Sequence, residues 1–79
     1  MKRVLFVCTG NTCRSPMAQA LFNQKARALG LPFEAASAGL MAGGEPMSPK
    51  ALRVLARRGI DGSGHRARQV SPALLREAA

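Results

Sequence analysis

Apolar positions follow several patterns along this chain, and each predicts a different element. Val4-Leu5-Phe6-Val7 is an unbroken apolar run behind the basic pair Lys2-Arg3. A short run without polar alternation predicts a strand buried on both faces, here Arg3–Val7. From Ser15 onward the period lengthens. Met17, Ala20, Leu21 and Ala28 fall on one helical face, and Ala18, Phe22 and Leu29 widen it. Ser15 is a suitable N-cap with Pro16 in the first turn, and Gly30 supplies the stop. Phe33–Ser37 predicts a strand chiefly from its place after a strand and a helix. Gly39–Met47, with three glycines and a proline, reads as a loop. Ser48-Pro49 then repeats the serine–proline start, Leu52, Leu55 and Ala56 form a stripe, and Gly59 ends that helix. Ser71-Pro72 opens a third helix. The three Ser-Pro pairs are capping chemistry and not an internal repeat.

The order strand–helix–strand–helix–helix implies the α/β class: an open parallel sheet with helices on both faces and a right-handed crossover. Two parallel strands alone make a poor sheet, because parallel strands need cover on both faces. Either the sheet is cut short before a third strand, or a second copy of the chain completes it as a homo-oligomer. Ligands of such sheets bind beyond the carboxyl ends of the strands, and Cys8 stands there.

Composition narrows the class. Seventy-nine residues allow one small domain, and with aromatics at 4% its apolar content is mostly Ala and Leu. No apolar run approaches the roughly 18 residues of a membrane span. Lys2-Arg3 with four apolar residues is too short for a signal peptide. Two cysteines without such a signal suggest a reducing cytoplasm and no disulfide scaffold. The formal charge is +8, with only Glu34, Glu45, Asp61 and Glu77 as acids and basic residues gathered at Arg53, Arg57, Arg58, Arg66 and Arg68. No aromatic residues interleave with these cations for base stacking, which argues against nucleic acid as the partner. A basic rim attracting anionic substrates and a merely solvated basic face both remain.

The candidate chemistry lies in Cys8-Thr9-Gly10-Asn11-Thr12-Cys13-Arg14-Ser15. A loop from a strand end to a helix start aims successive N–H groups at one point, with the helix dipole behind them, and so cradles a phosphate-like dianion. Arg14 can clamp two of its oxygens. The same positive field would hold Cys8 as a thiolate nucleophile. Gly10 and Asn11 tolerate the positive φ such a loop needs. One histidine and two cysteines flanking an anion loop do not make a metal site.

A cysteine, five residues, an arginine and a serine is the phosphate loop of the cysteine-dependent phosphatases. The form Val7-Cys8-Thr9-Gly10-Asn11-Thr12-Cys13-Arg14-Ser15-Pro16 resembles the low-molecular-weight protein tyrosine phosphatases, whose bacterial branch includes protein-arginine phosphatases. Met17-Ala18-Gln19-Ala20-Leu21-Phe22, Ser37-Ala38-Gly39 and Gly64-His65-Arg66-Ala67-Arg68-Gln69 continue the likeness. It spans essentially the whole chain but only the first half of the family's usual domain, so residues 1–79 are expected to form the N-terminal part of one phosphatase-like α/β domain.

The resemblance implies roles. Cys8 attacks phosphorus, and Arg14 with the N–H groups of Thr9, Gly10, Asn11, Thr12, Cys13 and Arg14 itself holds the phosphoryl oxygens. The Ser15 hydroxyl donates toward the sulfur. Asn11 shapes the loop within a network that includes Ser37 and His65. Cys13 traps an oxidised Cys8 as a disulfide. Thr12, where phosphotyrosine enzymes usually carry a bulkier aliphatic residue, marks relatives acting on phosphoarginine. The implied activity is hydrolysis of phosphotyrosine or phosphoarginine on proteins through a phosphocysteine, without a cofactor. The family's general acid is an aspartate followed by proline far toward the C-terminus. The sole aspartate here, Asp61, is followed by Gly62 and does not match. An arsenate-reductase-like activity would need redox cysteines downstream of Cys13, and none follow. A non-catalytic phosphate-binding or assembly module is the reading from another class.

Overall fold

β1 (Lys2–Cys8) and β2 (Phe33–Gly39) pair in parallel along their whole length in the computed structural model, which describes residues 2–78. Lys2 stands opposite Phe33 and Cys8 opposite Gly39. β2 runs two residues beyond the expected Phe33–Ser37. Its Ala-Ala-Ser-Ala-Gly stretch carries little strand propensity, so pairing with β1 and burial decide its extent. Ala35, Ala36, Ser37 and Ala38 are all buried, so small side chains let neighbours close on both faces.

α1 (Arg14–Leu29) covers one face. Phe6 meets Phe22 edge-on, with ring centroids 6.1 Å apart. Arg3, of opposite parity on β1, instead pairs with Glu77 of α3 (Pro72–Glu77) at 3.0 Å. Helices therefore lie on both faces. α2 (Pro49–Ala56) packs beside α1, and Met47, Ala51 and Leu55 form a small core with Met17, Ala20, Leu21, Leu52 and Ile60. Ser48 caps α2 and Ser71 caps α3, each accepting from the amide three residues on at 3.2 Å. Gly30, at φ 66°, closes α1 in a Schellman arrangement with Leu31 N–H on the Ala26 carbonyl.

Three expectations need correction. α1 begins at Arg14 with Cys13 as its N-cap residue, so Ser15 lies inside the first turn and does not cap it. Its hydroxyl is engaged by the preceding loop instead. Ala28 and Leu29 at the end of the α1 face are exposed, Leu29 at 59%, while Ala26 is buried. The apolar face is wider than two strands can cover. On α2 the buried face is Ala51 and Leu55, with Ala56 exposed, a rotation set by contact with α1.

The two edges of the sheet differ. On the outer edge of β2, Asn23 brackets Ala35, donating to its carbonyl at 3.0 Å and accepting from its amide at 2.7 Å. Arg68 Nε donates to the Ser37 carbonyl at 3.0 Å, and the Gly39 amide and carbonyl bond to Arg68 and Val70 at 2.8 Å. That edge is closed. The other edge of β1 has no strand partner among the described residues. No helix among the described residues is long and apolar enough to cross a membrane.

Candidate active site at the end of the first strand

Cys8 ends β1 and Arg14 opens α1, so the loop between them is fixed at both ends by regular structure. Asn11 organises it. The residue is fully buried at φ 56°, a left-handed backbone that asparagine adopts more readily than most residues. This turns its N–H onto Cys8 Sγ at 3.1 Å. Its side chain donates from Nδ2 to Ser15 Oγ at 2.9 Å and accepts at Oδ1 from the Arg68 amide at 3.0 Å. Its carbonyl meets His65 Nε2 at 2.7 Å. Every polar group of this buried residue is thus used, which over-determines a conformation otherwise costly to hold.

Ser15 Oγ lies 2.8 Å from Cys8 Sγ. Because that oxygen already accepts from Asn11, its own proton is free to be donated to sulfur. Partial burial pushes the Cys8 thiol up. The hydrogen bonds outweigh it: the Ser15 hydroxyl, then the backbone N–H groups of Asn11, Ser15 and Gly10, hold the thiol below its ordinary value. Arg14, exposed at the first turn of α1, lines one cleft together with Phe6, Val7, Cys8, Thr9, Ser15 and Ala18. A thiol held below its ordinary value, converging amides, a helix N-terminus and a guanidinium are the groups that can receive a tetrahedral oxyanion.

Neighbouring segments brace the loop from outside. The Cys8, Thr9 and Thr12 carbonyls accept from Leu40, Met41 and Ser48 amides at 2.8–2.9 Å. At Gly39 an added Cβ would stand 2.8 Å from the Thr9 carbonyl, so the crossing requires glycine. Cys13 packs against the Met47–Ala51–Leu55 core, and both cysteines are free thiols.

Ser37 reaches Asn11 only through Arg68, which donates from Nε to the Ser37 carbonyl and from its amide to Asn11 Oδ1, both at 3.0 Å. The Ser37 hydroxyl donates to Gln19 Oε1 at 2.5 Å and makes no hydrogen bond to Asn11. The presumed basic cluster is also divided. Arg53 lies on α2 and Arg57 caps its C-terminus, Arg66 bonds to carbonyls of its own turn, and Arg68 serves the loop. Arg68 and Gln69 are residues that sequence reasoning missed. Gln69 clasps the segment after β2, accepting from Ala42 N–H at 3.0 Å and donating to the Leu40 carbonyl at 2.7 Å. These contacts involve backbone groups, which leave no signature in residue type. Leu40 and Met41, 59% and 78% exposed, add an apolar rim whose backbone is tied to the loop.

Asp61 does not line the Cys8 cleft. Its carboxylate accepts from the Ser63 amide at 2.9 Å in an exposed turn, and the Ser63 backbone and side chain hold it below the usual carboxylate range. None of the residues lining the Cys8 cleft is a carboxylic acid. No three His, Cys, Asp or Glu side chains gather as a metal-binding group among the described residues.

The Cys8 environment gives a direct expectation. Iodoacetamide labelling followed against pH shows a thiol that reacts below the ordinary thiol range, because thiolate is the reactive form. The early phase persists in Cys13→Ser and vanishes in Cys8→Ala. It moves up in Ser15→Ala, which removes one donor to sulfur. A single ordinary titration in the unaltered chain would contradict the geometry.

Comparison with known proteins places this geometry in a lineage. The family model for "Low molecular weight phosphotyrosine protein phosphatase" matches residues 3–78. The chain is 46% identical over 79 residues to a probable low molecular weight protein-tyrosine-phosphatase, EpsP, of Ralstonia solanacearum, covering 99% of this chain and 52% of that protein. It is 50% identical over 70 residues to a protein-arginine-phosphatase of Geobacillus stearothermophilus, covering 86% of this chain and 44% of the relative. A crystal structure of a low molecular weight protein tyrosine phosphatase from T. tengcongensis superposes with a TM-score of 0.94 at 54% identity, over 99% of this chain and 54% of that one. The chain spans about half the length of the relatives it matches.

Proposed function

This chain belongs to the low molecular weight phosphotyrosine protein phosphatase family, and on that footing we propose that residues 1–79 are the nucleophile-bearing, N-terminal part of one phosphatase domain. The substrate is a protein carrying phosphotyrosine or phosphoarginine. Thr12, small and polar within the loop, favours the guanidinium substrate. The observation that carries this reading is the Cys8–Asn11–Ser15 arrangement, with two donors on one sulfur in a cleft that Arg14 also lines.

The steps follow from the geometry. Phosphate oxygens enter the cradle of loop N–H groups and Arg14, with phosphorus above Sγ. The sulfur lone pair attacks in line, and the bond from phosphorus to the phenolic oxygen or guanidinium nitrogen breaks. Arg14 and the amides stabilise charge on the equatorial oxygens as it develops. The leaving group needs a proton, and no acid lies beside Cys8, so that donor is supplied from outside this cleft. Water then attacks the phosphocysteine, releasing inorganic phosphate and the thiolate, with the Ser15 hydroxyl donating to the departing sulfur. Cys13 stands as the redox partner of Cys8. The closed β2 edge leaves β1 as the side on which the sheet grows, by further chain or by a second copy. A reducing cytoplasm suits a site that depends on a free thiolate.

Acid quenching during turnover of p-nitrophenyl phosphate, followed by peptide mass analysis, tests the mechanism. A phosphoryl group appears on the peptide bearing Cys8, and Cys8→Ala shows none. Product formation without that adduct would exclude covalent catalysis. Oxyanion binding without any product would identify a non-catalytic module.

A further inference from the structure

Resting on the phosphoprotein-substrate reading above, we propose that the solvent face of α2 docks an acidic segment flanking the phosphorylated residue. Lys50 and Arg53 on α2 and Arg57, its C-cap in helical backbone conformation, are all exposed and fall at i, i+3 and i+7, so they form one stripe opposite buried Ala51 and Leu55. The four carboxylates of the described residues are committed elsewhere. Glu34 and Glu77 pair with Arg3 at 3.8 and 3.0 Å, Glu45 accepts from Gly43 N–H at 2.8 Å, and Asp61 accepts from Ser63 N–H at 2.9 Å. The α2 cations therefore have no carboxylate partner among the described residues.

Arg53 in the last turn and Arg57 at the C-cap suit the helix dipole, but the first cation of the stripe opposes it. Lys50 sits in the first turn of α2, where the dipole favours acids, and that turn has none. A sequence that sets a cation against the helix field gains nothing in stability from it, and such local conflicts concentrate where function requires them. Position supplies the function. The Ser48 amide bonds to the Thr12 carbonyl at 2.8 Å, so the stripe starts two residues from direct contact with the phosphate loop. From Lys50 to Arg57 it runs about 10 Å along the helix at ~1.5 Å per residue. About three residues of extended peptide cover that distance at ~3.4 Å each. A substrate whose phosphorylated side chain enters the Cys8 cleft can lay Asp or Glu residues a few positions away onto the stripe. A nucleic acid strand would answer the charge but finds no stacking surface, since Phe6, Phe22 and Phe33 lie on β1, α1 and β2.

The test uses two fluorescent peptides carrying a non-hydrolysable phosphonate analogue of phosphotyrosine, one flanked by three acidic residues and one by three serines. Anisotropy at low salt gives about tenfold tighter binding of the acidic peptide, and the advantage shrinks as ionic strength rises. The triple variant Lys50→Gln/Arg53→Gln/Arg57→Gln binds both peptides alike, while inorganic phosphate displaces them as well as before. Equal affinity of the two peptides for the unaltered chain, or a preference surviving in the triple variant, overturns the proposal. Tighter stripe-dependent binding of a single-stranded oligonucleotide than of the acidic peptide also overturns it, in favour of nucleic acid. If neither peptide binds or phosphate displaces neither, the phosphate-loop reading itself fails and takes the proposal with it.

Discussion

Arg14→Ala lowers turnover of p-nitrophenyl phosphate by roughly 10²–10³, the usual cost of removing one donor that stabilises transition-state charge. Affinity for phosphate or vanadate falls on the order of 10–100-fold, the value of a charge-assisted pair of hydrogen bonds. Arg14→Lys recovers part of the affinity and less of the turnover, because an ammonium restores charge but not the planar fork that spans two oxygens. The side chain is exposed at the first turn of α1 and the fold does not lean on it, so the variant keeps its thermal midpoint. Arg27→Ala, removing an exposed charge from the far end of the same helix, leaves both quantities nearly unchanged and controls for net charge. Calorimetry with inorganic phosphate and steady-state kinetics check the two effects separately. Unchanged oxyanion affinity in Arg14→Ala would remove the loop as the binding site.

The second large effect is on leaving-group dependence. Proton donation to the departing atom contributes roughly two to four powers of ten to such reactions. The cleft over Cys8 is lined by Phe6, Val7, Thr9, Arg14, Ser15 and Ala18, and no carboxylic acid is among them. Asp61 is engaged in its own turn and held ionised by Ser63. The 79-residue chain by itself is therefore expected to hydrolyse p-nitrophenyl phosphate slowly and phenyl phosphate hardly at all. The rates fall steeply as the pKa of the leaving phenol rises. A phosphoarginine peptide is expected to fare better, because its nitrogen takes a proton from solvent and its P–N bond is labile. A series of aryl phosphates with graded leaving groups, run beside that peptide, measures the slope. A flat series at ordinary phosphatase rates would show that an acid reaches the cleft, and the account of an incomplete proton path would be wrong.

Local pattern made much of the frame legible. The apolar run before Cys8, the two later Ser-Pro caps and Gly30 act within a few residues of themselves, so their residue types announced β1, α2, α3 and the end of α1. The Cys8-to-Arg14 spacing was legible for the same reason, since strand end, loop and helix start are contiguous. β2 was only partly legible, because alanine and serine announce no strand until a neighbour buries them.

Ser15 shows where local reading stops. By residue type it is an N-cap. In the fold it lies in the first turn, and its hydroxyl is claimed by Asn11 on one side and Cys8 on the other. The sequence alone determined the element order and the placing of Cys8 and Arg14 at the two ends of one loop. The resemblance implied the contact of His65 with Asn11, and tertiary structure decided the rest of what holds them in place. The Arg68 amide on Asn11, His65 on the Asn11 carbonyl and the Ser48 amide on Thr12 join the loop to segments 36 to 57 residues away in the chain. Two of those three bonds come from backbone N–H groups that almost any residue supplies, and the third meets a backbone carbonyl. Long-range closure made through the main chain depends on where the chain passes and not on which side chain it carries there, so no reading of residue types can register it.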